Sequence, residues 1–112
     1  MSISGDIIRG DIEAVILSNL VNKDSYGYEI NKRIKLCSDG KYEVNEATLY
    51  TAFKKLEDSG LIISYWGTEA TNARRKYYHI TEKGIEMQKI LFSEWETAKE
   101  IIDKLLLPEG NL

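Results

Sequence analysis

Three adjacent cations, Arg74, Arg75 and Lys76, form the densest charged run in this chain of 112 residues. They follow a polar stretch, Gly67 to Ala73. Cations placed there suit phosphate oxygens, whose condensed counter-ions they would release. A second group is Asn45, Glu46, Ala47, Thr48, Tyr50 and Thr51, small polar and aromatic residues followed by Lys54 and Lys55. Such side chains can reach base edges or backbone phosphates in a major groove. A third set of cations is Lys32, Arg33 and Lys35. Each group alone is equally a solvated patch, and residues 45–55 alone fit a core-packing helix with a polar outer face. Their coincidence in one short chain is what points to nucleic acid.

Nothing in the chain assembles a catalytic centre. There is one His and one Cys, with no Gly-rich phosphate loop, so no nucleophile–base pair can be built from recognisable motifs. Carboxylates alone could do acid–base work, but no spacing points to it. His79 reads as a surface residue of a strand. Cys37 reads as a small core residue on an apolar stripe; neighbouring Lys35 is weak support for a redox role. Without a CxxC partner or a His cluster, Cys37 implies neither a disulfide nor a metal site, and no cofactor is expected. Trp66 is expected to anchor its strand, base stacking being the other reading.

The elements that would carry these residues follow from periodicity. Asp6 to Val21 has apolar residues at Ile8, Ile12, Val15, Ile16 and Leu20, a helical spacing. Asn22 to Ser25 is a turn cluster with Ser25 as an N-cap. Tyr26 to Cys37 forms a second helix, striped by Tyr26, Ile30, Ile34 and Cys37, and Ser38-Asp39-Gly40 ends it. Lys41 to Val44 alternates as a short strand would. Asn45 then caps a third helix, Glu46 to Ser59, which turns Leu49, Phe53 and Leu56 inward and stops at Gly60.

Leu61 to Trp66 and Lys76 to Ile80 are rich in β-branched and aromatic residues and read as a hairpin. Thr81 caps a long amphipathic helix from about Gly84 to Leu106, with apolar Met87, Leu91, Trp95, Ala98, Ile102 and Leu105. Three helices, a hairpin and a long helix make a mainly α chain with a β-hairpin, the winged helix-turn-helix plan. Residues 1–84 are expected to be the winged-helix part, and 85–112 the last helix and tail.

Composition agrees with one globular domain. Hydrophobic residues are 43% and charged residues 29%. The opening MSISGDIIRGD has no long apolar run, and no window could span a membrane, so a reducing cytoplasmic setting is expected. The net charge of −3 argues against DNA if taken alone. Residues 85–112, however, hold six acids against three lysines, which accounts for all of it. The remainder is neutral with clustered cations, and distribution outweighs the total.

At this level of detail the chain resembles the PadR family. Glu46-Ala47-Thr48-Leu49-Tyr50 through Leu56-Glu57-Asp58-Ser59-Gly60-Leu61-Ile62 is similar to the family's Thr-Leu-Tyr core and Leu-Glu-x-x-Gly-Leu-Ile ending. Tyr26-Gly27-Tyr28-Glu29-Ile30 resembles its Tyr-Gly-Tyr-Glu-Ile segment. Arg74-Arg75-Lys76-Tyr77-Tyr78 with Thr81-x-x-Gly84 resembles its second wing strand and the start of the last helix. The likeness runs from about Gly10 to Leu106. It implies a transcriptional repressor, dimeric through its first and last helices, on a pseudo-palindromic operator of double-stranded DNA. Thr48 and Tyr50 would contact DNA from the recognition helix, with wing cations on the backbone. The single last helix resembles the compact subgroup, which includes multidrug-sensing repressors.

Those sensors hold flat aromatic drugs between paired tryptophans at the dimer centre, and Trp95 matches that position. Phe92, Gln88, Lys99 and Ile102 share or flank its face, and Ala14 and Ser18 would line the pore from the first helix. Trp95 packing the dimer core is the other reading. Drug-binding relatives tend to place an acid near the tryptophan. Here Lys99 stands one turn on, so an anionic or neutral planar ligand is expected unless Glu13 or Glu96 offsets it. The rival functions are a winged-helix protein-interaction module and a ligand-sequestering dimer, both without operator binding. The acidic pI of 5.2 favours the first of these rivals slightly.

Overall fold

The computed structural model describes residues 11–68 and 74–108. In chain order the elements are α1 (Ile12–Leu20), β1 (Ser25–Tyr26), α2 (Gly27–Cys37), α3 (Glu46–Asp58), β2 (Ile62–Thr68), β3 (Arg74–Ile80) and α4 (Glu82–Leu106). Asp6 to Gly10 of the expected first helix, and Glu69 to Ala73 of the expected hairpin loop, lie outside the described residues. The three helices, the hairpin and the long helix come in the order that periodicity gives, and the fold is mainly helical.

The core forms where the apolar stripes meet. α1 buries Ile16, Leu17 and Leu20, α2 buries Ile30 and Ile34, and α3 buries Leu49, Phe53 and Leu56. Ile62, Tyr78 and Ile80 close it from the sheet, and the Phe53 and Tyr78 rings stack at 4.1 Å. α3 begins because the Asn45 side chain accepts from Thr48 N at 2.8 Å, satisfying a backbone donor the helix leaves orphaned. It ends at Gly60, whose φ of +75° is the left-handed state glycine reaches without a Cβ clash. Thr81 caps α4 by accepting from Gly84 N at 3.1 Å. A Cβ on Gly84 would lie 2.1 Å from Leu61 O, so glycine is what lets α4 leave the hairpin so closely.

The local expectations change at several points. Ser25 is not an N-cap. It is fully buried as part of a third strand, β1, which pairs antiparallel with β3 (Ser25 opposite Tyr78, Tyr26 opposite Tyr77). Its hydroxyl donates to Glu29 Oε1 instead. Two residues are too short for an alternation to be visible. The sheet order is β1-β3-β2, all antiparallel.

Lys41 to Val44 is not a strand, although Tyr42 and Val44 are buried alternately. Side chains take its backbone groups instead: Asn31 Nδ2 donates to Val44 O, and Ser38 Oγ bonds both Tyr42 N and Tyr42 O. Cys37 is exposed, not core, because α2 reaches its last turn beyond the packed stripe. The hairpin strands run further out than expected, to Thr68 and from Arg74, and α4 starts at Glu82.

Candidate nucleic-acid interface

On α3, Ala47, Tyr50, Thr51 and Lys54 are all exposed. They stand at i, i+3, i+4 and i+7, one continuous stripe of a helix. The opposite stripe, Leu49, Ala52, Phe53 and Leu56, is buried. Core packing therefore aims the polar stripe outward. Thr51 Oγ1 donates to Ala47 O at 2.7 Å. Tyr50 is held at one side only. Its hydroxyl lies over Gly27, where a Cβ would come within 3.0 Å, and its ring meets Phe53 edge-on at 5.8 Å. The rest of the ring stays in water, with 51% of the residue exposed. Asn45 and Glu46 are exposed at the helix start, and Thr48 is half-buried.

The cations divide into engaged and available ones. Lys32 is exposed on α2 and has no ion-pair partner among the described residues. Its neighbours differ. Arg33 pairs with Glu29 at 3.1 Å and donates to Ser25 Oγ at 2.9 Å, and Lys35 pairs with Glu43 at 3.5 Å. On α3, Lys54 is paired loosely with Asp58 at 3.7 Å, and Lys55 reaches Glu13 of α1 at 3.3 Å. Exposed pairs of this kind are weak, so phosphates can compete for these lysines. Arg33 is the more firmly held, being half-buried and bonded to two side chains. Its partner Glu29 has a pKa held below the usual value, first by the Ser25 hydroxyl and then by Lys23 and Arg33, against the opposing effect of burial.

In the hairpin, Arg74 and Lys76 are exposed on the helix-facing side of β3. Arg74 lies over the Trp66 ring at 5.0 Å, and Lys76 approaches Glu57 at 3.8 Å. Arg75 points to the other side, over the Tyr26 ring at 4.4 Å. Trp66 is 61% exposed, so it does not anchor the hairpin in the core. It lies beyond Ser64 and Ile62, outside the buried part of the ladder, and serves as the platform for Arg74. His79 is exposed on β3, as expected, with Asp24 Oδ1 2.7 Å from its Nδ1.

A basic, aromatic hairpin beside a helix with an outward polar stripe is the pattern of a winged helix that binds DNA. Comparison with known proteins decides the family. The model of the transcriptional regulator PadR-like family matches residues 16–90. The chain belongs to the PadR-like family. It is thus a DNA-binding transcription regulator. It is 49% identical to a transcriptional regulator from Clostridium thermocellum, covering 93% of this chain and 98% of that one with a TM-score of 0.84. A PadR family transcription regulator from Clostridium difficile is 36% identical, with 87% and 99% coverage and a TM-score of 0.76. An uncharacterized protein of Lysinibacillus sphaericus is 41% identical over 96% of this chain and 97% of its own.

The residues expected around Trp95 in this PadR-like chain fall into two groups. Leu91, Trp95, Ala98, Lys99 and Ile102 line one shallow depression on α4, together with Asp11, Glu94 and Asp103. Lys99 lies 5.5 Å from the Trp95 ring centre. Ala14 lines a neighbouring depression with Met87 and Leu91, and Gln88 donates to Ser18 Oγ at 3.1 Å. Phe92 is exposed on the adjoining strip of the helix. Glu13 is engaged with Lys55, whereas Asp11, which spacing along α4 could not bring to Trp95, is brought there by the packing of α1 on α4. Among the described residues there is no group of three side chains that could hold a metal, and no helix long and apolar enough to cross a membrane.

Proposed function

We propose that this PadR-like regulator is a homodimeric cytoplasmic repressor that grips a pseudo-palindromic operator through α3 and the hairpin wing. The observation that carries the reading is the exposed stripe Ala47-Tyr50-Thr51-Lys54, turned outward by a buried opposite face. Asn45, Glu46 and Thr48 would meet bases or phosphates at the start of that helix. Lys32 would take a phosphate from α2, and Arg74, Arg75 and Lys76 would do so from the wing. No step requires catalysis. Of the rival functions, an interaction module would have no use for the wing cations beside this stripe, and a sequestering dimer would need neither.

The second copy would seat on α4 and α1. From Phe92 to Pro108 every described residue is exposed, including Trp95, Ile101, Ile102, Leu105 and Leu106. A continuous apolar strip of this length marks a contact surface, and a two-fold contact would let 85–112 serve as the dimerisation segment. It would set the two recognition helices about 34 Å apart, one DNA turn.

Ligand control would act at the same place. A planar aromatic molecule stacked on Trp95 would change that spacing and so the operator affinity. Asp11, Glu94 and Asp103 line the same depression as Lys99. This balance favours a cationic ring over the anionic or neutral one that Lys99 alone implies.

The deciding experiment is fluorescence polarisation with a labelled duplex from the region upstream of the chain's own reading frame, at two salt concentrations. Wild type is expected to bind with steep salt dependence, and Tyr50→Ala and Arg75→Ala to weaken it. Equal binding of that duplex and a scrambled one would reject this region as the operator. Absence of salt-dependent binding to any duplex would overturn the repressor reading. For the ligand, titration of a planar cationic dye against Trp66→Phe isolates the Trp95 fluorescence. Unchanged operator affinity at saturation would reject ligand control.

A further inference from the structure

The outer half of the wing has little core beneath it. On its helix-facing side the buried ladder stops at Ile62 and Tyr78, and Trp66, Thr68, Arg74 and Lys76 are exposed beyond it. On the other side, contacts converge on the segment Asp24 to Tyr26. The Tyr77 ring stacks on Tyr65 at 5.6 Å and meets Tyr26 edge-on at 5.4 Å, while Arg75 covers Tyr26. At the centre is Asp24. Its Oδ2 accepts from the Tyr65 hydroxyl of β2 at 2.5 Å, and its Oδ1 lies 2.7 Å from His79 Nδ1 of β3. One carboxylate therefore fastens both wing strands. It stands four residues past the end of α1, outside the sheet. Partial burial pushes its pKa up, but the bonds from Tyr65 and His79 and the imidazole charge outweigh that and hold it below the ordinary value.

We propose that Asp24 is a positioning residue for DNA binding: it pins the wing to the turn after α1 and so sets the angle at which the wing cations meet the duplex. The β1 ladder ties this segment to β3 alone, at Tyr77 and Tyr78, and leaves β2 and the wing beyond Tyr77 without that support, so the outer hairpin can still pivot across the plane of its sheet. Two hydrogen bonds to separate strands, both on one face, oppose that pivot. The carboxylate need not touch DNA. Its effect arrives through Arg74, Arg75 and Lys76, which lose their simultaneous fit to the backbone when the wing swings. This inference rests on the DNA-binding reading above.

The test compares wild type with Asp24→Asn and with the Tyr65→Phe/His79→Gln pair, measuring affinity for the upstream duplex from low to high salt. Both variants nearly keep the side-chain volumes, so the fold and the oligomeric state are expected to persist, with the thermal midpoint lowered only by the lost hydrogen bonds. The expected result is an affinity roughly tenfold lower with the slope of log K against log salt reduced by about one to two, as if one or two phosphate contacts were lost. In a background with Arg74, Arg75 and Lys76 all changed to Gln, Asp24→Asn should have no further effect. A purely structural role would lower the thermal midpoint without moving the slope. An unchanged slope in the Tyr65→Phe/His79→Gln pair, which removes both partners where an Asn side chain can still bond them, or an equal further loss in the triple-Gln background, overturns the inference alone. Failure of wild type to bind any duplex with salt dependence overturns the DNA-binding reading and this inference together.

Discussion

Between Ile12 and Ile80 the chain hides its large apolar stripes, whereas from Phe92 to Leu107 it exposes every one. α4 belongs to both regions. Its first turns pack Ile85, Met87 and Leu91 against the core, and the rest projects, which gives the molecule its 61 Å length against 33 and 22 Å across. The same amphipathic pattern thus does two jobs along one helix. Where α1 and the sheet lie alongside, it completes an interior. Beyond them it leaves the exposed apolar strip on which the proposed second copy would seat. The winged part is packed within one chain, and the projecting part is left open.

The largest effect should come from breaking the packed part. Phe53 is buried between Tyr78, stacked at 4.1 Å, and Tyr50. Phe53→Ala should cost about 3–5 kcal/mol in urea unfolding followed by circular dichroism. The loss should be the same at low and high protein concentration. A loss that grows on dilution would show that the winged part also depends on the second copy.

The open part should respond in the opposite way. Ile102→Glu with Leu105→Glu places two charges on the exposed apolar strip. Sedimentation should then show a monomer at concentrations where wild type is dimeric, a weakening of dimerisation of about a hundredfold or more, near 2.7 kcal/mol. Secondary structure should persist, because neither side chain serves the core. If both proteins sediment as monomers, the strip has another occupant and the contrast between the two regions needs a different explanation.

How legible each region was follows from what the pattern had to encode. The stripes of α1, α3 and α4, the caps Asn45 and Thr81 and the stop at Gly60 are local, so residue types reveal them. Tyr26-Gly27-Tyr28 was legible as a motif, but its reason is tertiary: Gly27 leaves room for Tyr50. β1 is hidden because its pairing partners lie more than fifty residues away and its two residues carry no period. Lys41 to Val44 looked like a strand because Tyr42 and Val44 alternate inward, and burial alternates in an irregular segment too. By sequence Asp24 reads as a turn residue, since its two partners come from distant strands. Asp11 beside Trp95 was hidden for the same reason.

The proposed DNA-facing surface offers a finer comparison, between available and engaged cations. Lys32→Ala should reduce the salt slope of DNA binding by about one, with a similar loss on every duplex. Arg33→Ala should leave the slope nearly unchanged, because Arg33 is spent on Glu29 and Ser25. Its cost should appear in stability. Equal slopes for the two variants would show that ion pairing in the free protein does not decide which cations reach phosphate.

The smallest effect probes the seam where sheet and helices meet. Tyr78 is buried against Phe53, and its pKa is pushed up to about 12, first by burial and then by the charges of Glu57 and Tyr50. In the unfolded chain the phenol would ionise near its ordinary value of 10. A raised pKa means that the native state holds its proton longer than the unfolded state does. The stability tied to this group is therefore complete below pH 10 and declines as pH rises toward 12. Tyr78→Phe keeps the ring and its stack but removes the proton. Its unfolding free energy should fall less steeply than that of wild type between pH 10 and 12, while the two run parallel below pH 9. Lysines and other tyrosines titrate in the same window in both proteins, so the difference between the two curves, not either curve alone, is the quantity to measure. Parallel curves throughout would mean that the phenol reaches water in the native state, and that the seam is looser than the stacked rings show.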